Sequence, residues 1–319
     1  KEPTAKDSFE KNCASCHASS AQLVGSDATT WSLKTVEDRF YDSGDFDFDG
    51  DGVKEEMNVG CESCHGPGSK HWETAGQGKH IVSPSLLTPE RESMICGQCH
   101  SRPKGAFGTD SPVNAQGWMM TAGTSRNDFL KFYATTQLDG AAGDFFGDAD
   151  KHSKSHHQQY SDFIRSIKYK NQYDLLTCAS CHDPHRRTEF VGQTAEARQL
   201  RGNPADNAES CGNGCHDQYP TPATSPVGDI VGHMTAQGIA LAANKTEALC
   251  SDCHMPKTAK TGASLPTVVI GGTQYYWTDI TSHLFKVPDA SASKAPISMP
   301  TPFTNACGTC HTAVGFPVQ

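Results

Sequence analysis

The segment Cys13-Ala-Ser-Cys16-His17 sets two thiols three positions apart, with an imidazole directly behind the second. The same C-x-x-C-H spacing returns at Cys61/Cys64/His65, Cys96/Cys99/His100, Cys178/Cys181/His182, Cys250/Cys253/His254 and Cys307/Cys310/His311. A seventh copy, Cys211/Cys215/His216, carries one extra residue between its cysteines. Together the seven use all 14 cysteines. Covalent attachment of haem needs this arrangement: two thiols add to the two vinyl groups of one macrocycle, and the next histidine binds its iron from the proximal side. Zinc ribbons and disulfide frameworks also use paired cysteines, but neither requires a histidine after every pair. The expected cofactor is therefore haem c, seven per chain.

The histidine count extends this reading. Of 15 histidines, seven follow motif cysteines, which leaves His71, His80, His152, His156, His157, His185, His233 and His283. A low-spin haem takes a second axial ligand, usually His or Met. With nearly one spare histidine per iron, all-histidine ligation is expected over the rival methionines. His71 and His185 follow their own proximal histidines by six and three positions, so each suits a neighbouring haem. Adjacent His156 and His157 would point about a hundred degrees apart in a helix, or to opposite sides of a strand, and so serve different haems. His233 and His283 stand in stretches without motifs, where a delivered ligand is expected. His152 is also a candidate. Either it or His80 is surplus, or reaches a haem in another subunit.

A second metal is suggested by "DFDGDGVKEE". Asp47, Asp49 and Asp51 fit positions 1, 3 and 5 of an EF-hand loop, with Gly52 at 6; a register from Asp45 instead puts Glu56 at position 12. The expected ion is Ca²⁺.

The elements needed to hold these groups are short. "TPERESMICGQCH" has Thr88 as N-cap, Pro89 at the first helical position and an early glutamate, so a helix should lead into the third motif. "HHQQYSDFIRSIKY" spaces Tyr160, Phe163, Ile164 and Ile167 as a helix does, and "TAEARQLR" is another short helix. "LPTVVI" and "TQYYWTDI" suit short strands. Only 36% of residues are hydrophobic and there are 29 Gly and 18 Pro, a thin supply for an ordinary core. The fold class expected is irregular and coil-rich, with a few short α-helices and minimal β structure. It is a multihaem cytochrome c fold wrapped around a chain of seven haems. Motif spacing divides it into residues 1–110 with three haems and the acidic loop, 111–200 with distal histidines and the fourth haem, and 201–319 with haems five to seven.

A net charge of −9, made more negative by haem propionates, argues against nucleic acid. No apolar run approaches the ~20 residues of a membrane span. Haem is joined to thiols outside the cytoplasm, so the chain is expected to be extracellular or periplasmic, exported by a signal peptide since removed.

"GCESCHGPGSKH" followed by "CGQCHSR", and "SKSHHQQYSDF" followed by "LLTCASCHDPH", resemble exported multihaem c-type cytochromes. The similarity is to relatives of the tetrahaem cytochrome of ammonia oxidisers and to OmcE-like extracellular cytochromes that polymerise into filaments. It covers about residues 55–190 and departs in having seven motifs, one of them widened. It implies that His71, His157 and His185 are distal ligands and that stacked bis-histidine haems carry electrons. A distal ligand borrowed from the next protomer is also implied.

The expected function is conduction along closely spaced bis-histidine haems for extracellular electron transfer, with head-to-tail self-association into a filament. Its partners would be redox proteins or extracellular acceptors. The alternatives are a soluble periplasmic shuttle and a multihaem reductase with one open haem. Because haem supplies much of the apolar mass, protein prepared without it should lack native helix content. Far-UV circular dichroism of the haem-free chain checks this, and a native-like spectrum would refute it.

Overall fold

Two thiols that bond one planar group must lie on one side of one turn, and residues three apart in a helix do so. Accordingly the motifs are themselves short helices: α1 (Ala14–His17), α2 (Cys61–His65), α7 (Cys178–Cys181) and α9 (Cys250–His254). Single turns are unstable alone, and α2, α7 and α9 bury none of their own residues. The third motif instead ends α4 (Pro89–His100).

The computed structural model describes residues 12–18, 21–25, 31–35, 59–135, 144–146, 149–185, 199–212, 215–216, 229–237, 248–259, 266–270, 273–276 and 280–288. The seventh motif (Cys307, Cys310, His311) and the proposed calcium ligands Asp45, Asp47, Asp49, Asp51 and Glu56 lie outside the described residues. The chain forms two compact units, residues 1–141 and 142–319.

In the first unit, β1 (Ala21–Gly25) pairs antiparallel with β2 (Trp31–Thr35), Leu23 opposite Leu33. Gly117 holds β1 in place. Its φ is +85°, and a Cβ there would fall 1.9 Å from the Leu23 carbonyl oxygen, so only glycine allows the Leu23 amide to reach the Gly117 carbonyl at 2.9 Å. Helix α3 is Ser69–Glu73. Helix α4 starts where its sequence signals place it, with extended Thr88 and Pro89 at N1, but the Thr88 side chain caps nothing. The Thr88 carbonyl accepts from the Glu92 amide instead, at 2.9 Å. Helix α5 (Arg126–Phe132) packs on α4. Its cap is Ser125, whose Oγ accepts from the Asp128 amide at 3.1 Å. The Glu90 carboxylate takes the Arg126 amide, and Arg91 donates to the Gly123 carbonyl. Leu23, Met94, Val113 and Phe129 are sealed from solvent.

In the second unit, α6 (Gln159–Arg165) buries Tyr160, Phe163 and Ile164, as the apolar spacing predicts. It stops short of its expected run. Ser166 is extended, and its Oγ accepts from the amides of Lys168 at 3.2 Å and Tyr169 at 3.3 Å. That local bonding competes with the next helical turn, so Ile167 lies outside the helix, 59% exposed. The helix expected over "TAEARQLR" falls mostly outside the described residues. Its last residues are not helical, since Leu200 bridges His182 as a strand would. Helix α8 is Ile230–Ala236. The two predicted strands pair as β4 (Pro266–Ile270) and β5 (Thr273–Tyr276), and β3 (Lys257–Ala259) pairs with β6 (Ile280–Thr281).

The hub of this unit is Asp162, fully buried on α6. Its carboxylate accepts from Ser153 Oγ at 2.8 Å, Ser282 Oγ at 2.7 Å, the His283 amide at 3.1 Å and Arg165 Nη2 at 2.7 Å. Burial pushes this carboxyl up, and the Ser282 hydroxyl and Arg165 guanidinium lead the groups that pull it back. The buried acceptor ties α6 to a segment about 120 positions further on. Asp162→Ala would strand a guanidinium, an amide and two hydroxyls. A loss of about 3 kcal/mol or more is expected, measured by denaturant unfolding of the haem-loaded protein. Asp162→Asn should cost less.

Candidate haem-binding sites

The motifs converge within each unit. In the first, the Cys16 and Cys99 thiols share a hydrogen bond, which holds Cys99 well above and Cys16 below the ordinary thiol range. Burial pushes Cys64 up, and Cys96 and Cys61 add to it. The first and second motifs therefore both meet the third. In the second unit Cys211 and Cys250 share a hydrogen bond that lowers Cys211 to about 6 and drives Cys250 far up. Cys181 is raised by burial first, then by Cys215 and Cys211. Motifs four, five and six thus face one another.

The two thiols of the sixth motif are not equivalent, although the spacing alone treats them as a matched pair. Cys250 opens α9 and turns to Cys211 of the fifth motif. Cys253, one turn further along α9, is half-buried and acts on Cys250 through its charge, a lesser push than the Cys211 contact. Thioether formation would remove all these ionisations; what persists is the proximity.

The widened motif shows how its extra residue is absorbed. In regular motifs the histidine amide reaches back four residues, as from His17 to the Cys13 carbonyl at 3.1 Å and from His182 to Cys178 at 2.9 Å. In the fifth, Ala208–Gly212 is a π-helical turn. The His216 amide reaches back five residues to the Cys211 carbonyl and four to Gly212, at 3.2 Å each. A π turn accommodates one more residue per loop, so His216 still follows the second cysteine into the site.

Two imidazoles are held in the tautomer that iron requires. His65 Nδ1 donates to the Val82 carbonyl at 2.8 Å, and His283 Nδ1 donates to the Thr281 carbonyl at 3.1 Å. In each ring Nε2 is then left as the basic nitrogen, the usual means of orienting a metal-binding histidine. Sequence patterns give no sign of either carbonyl.

Two of the predicted distal histidines meet motif histidines. His283 and His182 have ring centroids 6.1 Å apart with planes 23° from parallel. His233, delivered by α8, faces His254 at 6.3 Å and 35°. Asp229 caps α8, accepting from the Gly232 amide at 2.8 Å. Two metal–imidazole bonds of about 2 Å, plus the distance from each nitrogen to its ring centre, give roughly 6 Å between centroids. The spacing fits rings on opposite faces of one haem. His254 is held below the usual histidine range by burial first and then by His233.

The other candidates are placed differently. His71 lies in α3 with a buried Nδ1 that has no hydrogen-bond partner. His185 is largely exposed, its Nδ1 3.9 Å from Asp183. His156 and His157 adopt neither geometry expected of them. Their rings meet edge to face, with the two Nδ1 atoms 2.6 Å apart, because His157 takes a left-handed backbone, φ +58°. His152 is fully buried, and its Nε2 donates to the Lys286 carbonyl at 3.2 Å. One residue that no motif reading singled out enters a site: Lys168 Nζ lies 2.6 Å from His216 Nε2.

No family model matches the chain. Over 175 residues, half of its length, it is 24% identical to cytochrome c-552 of Aliarcobacter butzleri (strain RM4018), covering 33% of that protein. Its fold matches the crystal structure of the outer cell wall cytochrome OcwA with a TM-score of 0.56 and 21% identity, over 95% of this chain and 60% of that one. An undecahaem cytochrome from the S-layer of Carboxydothermus ferrireducens aligns with a TM-score of 0.38, too low to bear on the fold. The fold is that of a multihaem c-type cytochrome, coil-rich and poor in helix and strand. The chain spans a third of the curated relative and three fifths of OcwA. Among the described residues no helix is long and apolar enough to cross a membrane.

His152 separates packing from ligation. His152→Ala leaves the Lys286 carbonyl unpaired and opens a cavity, so a stability loss of about 2–3 kcal/mol is expected. If the residue only packs, the haem absorption spectrum stays as it was; a new high-spin band would make it a ligand.

Proposed function

We propose that the chain carries seven covalently bound haems c and passes electrons along them, outside the cytoplasm, without turning over a substrate of its own. The observation that carries this reading is the pair of facing imidazoles, His182 with His283 and His254 with His233, each set at the separation a six-coordinate iron needs. When bound, haem supplies a one-electron couple. The chain's part is to fix each macrocycle by two thiols, close both faces of the iron, and keep neighbouring sites adjacent. The contacts Cys16–Cys99 and Cys211–Cys250 and the nearness of Cys64 to Cys96 support close spacing. Histidine on both faces favours low potential and leaves no position for a substrate. Its donors and acceptors would be other redox proteins or extracellular acceptors, and head-to-tail association into a filament would lengthen the path. A Ca²⁺ ion at Asp45, Asp47, Asp49, Asp51 and Glu56 belongs to the same proposal.

Intact mass should exceed that of the polypeptide by seven haems, and the oxidised spectrum should be low-spin. His283→Ala and His233→Ala should each convert one haem to high spin, while His283→Met should keep that haem low-spin and raise its potential. Unchanged spectra in both alanine variants would refute the pairing. Electron micrographs of the secreted fraction should show filaments; single particles would limit the reading to a soluble shuttle.

A further inference from the structure

We propose that the haem of the widened fifth motif is ligated on its distal face by Lys168 rather than by histidine. The inference rests on the reading that Cys211, Cys215 and His216 hold a haem. In the two pairs described above, the group facing a motif histidine is another imidazole. Opposite His216 Nε2, the atom this motif presents to iron, stands Lys168 Nζ at 2.6 Å. The amine is also within electrostatic reach of Cys211, Cys215 and Cys181, which puts it near thiols of the fourth and fifth motifs.

The turn that carries Lys168 is built to aim it. Ser166, 1% exposed, donates its hydroxyl to the Phe163 carbonyl at 2.7 Å and accepts the Lys168 and Tyr169 amides. Asn171 Nδ2 closes the turn on the Lys168 carbonyl at 2.6 Å. The Tyr169 ring packs edge-on against Phe163, centroids 5.4 Å apart. The same serine that ends α6 thus sets the direction of the lysine. An iron between imidazole and amine needs about 4 Å between the two nitrogens, and withdrawing Nζ by that difference is within the flexibility of a four-carbon stem. The amine binds iron in its neutral form, its proton passing to water. Other histidines of this unit already have partners: His254 faces His233, His182 faces His283, His156 meets His157, and His152 is bonded to Lys286.

Near-infrared magnetic circular dichroism and electron paramagnetic resonance distinguish amine–imidazole from bis-imidazole haem, and intact mass counts the haems in each sample. Wild type should carry seven haems, one with the amine–imidazole signature. Lys168→Ala should convert that haem alone to high spin. Lys168→His should keep it low-spin but move its signature to bis-imidazole. Seven haems without an amine–imidazole signature in wild type would overturn the proposal, and so would an unchanged ligand-field spectrum in Lys168→Ala. A wild-type mass one haem short, with peptide mapping showing Cys211 and Cys215 as free thiols, would overturn the underlying reading instead. Because wild type alone can decide, a variant that fails to fold does not shield the idea.

Discussion

An iron gripped from both faces needs two nitrogens on one axis, and a chain can supply only one of them from the segment that also supplies the thiols. The second must come from elsewhere in the sequence and still arrive within a fraction of an ångström. With 36% hydrophobic residues, this protein has little apolar packing with which to enforce that precision. It uses hydrogen bonds instead. Asp162 takes the His283 amide, and the Thr281 carbonyl takes the His283 ring. The histidine is thus fixed at both backbone and side chain before any metal contact is counted.

This division of labour explains why the regular elements are so short. A motif helix need only bring two cysteines to one side, so a single turn suffices. The longer helices do something else. Helix α4 meets α5 through Glu90 and the segment before α5 through Arg91, as well as carrying a motif, and α6 carries the aspartate that anchors the second unit. Strand pairs such as β3 with β6 lead the chain into position: the Ser282 amide bonds the Pro256 carbonyl at 2.9 Å, directly beside His283.

The candidate attachment motifs stand out in the sequence because they are local. Spacing alone picks out the paired thiols and the histidine behind each, and Thr88, Pro89 and Glu90 mark the start of α4. What spacing misses is the company each thiol keeps: Cys250 and Cys253 read as twins, yet only contact across the fold brings Cys250 to Cys211. The ends of elements were less legible. Apolar spacing ran α6 on through Ile167, whereas the hydroxyl of Ser166 stops it. His156 and His157 could not be placed by periodicity because His157 has a positive φ, which no side-chain pattern announces. The distal pairings were out of reach for another reason. His233 and His283 stood out as candidate ligands, but the rings they face depend on contacts across tens of residues. Asp162 and Lys168 looked like ordinary polar positions beside a helical stripe, and only burial and orientation distinguish them.

The two imidazole pairs also differ in when they can close. His233 and His254 lie roughly twenty positions apart and His182 and His283 roughly a hundred, a difference in loop length worth about 1.4 kcal/mol of closure entropy. A chain emerges progressively from its N-terminus. The nearer pair becomes available as soon as its own motif does, while His182 must wait for the segment around residue 283. A chain cut short after His254 and before Ser282 would leave His182 without its facing imidazole and Asp162 without two of its four donors. The segment around residue 283 thus completes two arrangements at once, the imidazole pair at His182 and the carboxylate hub at Asp162.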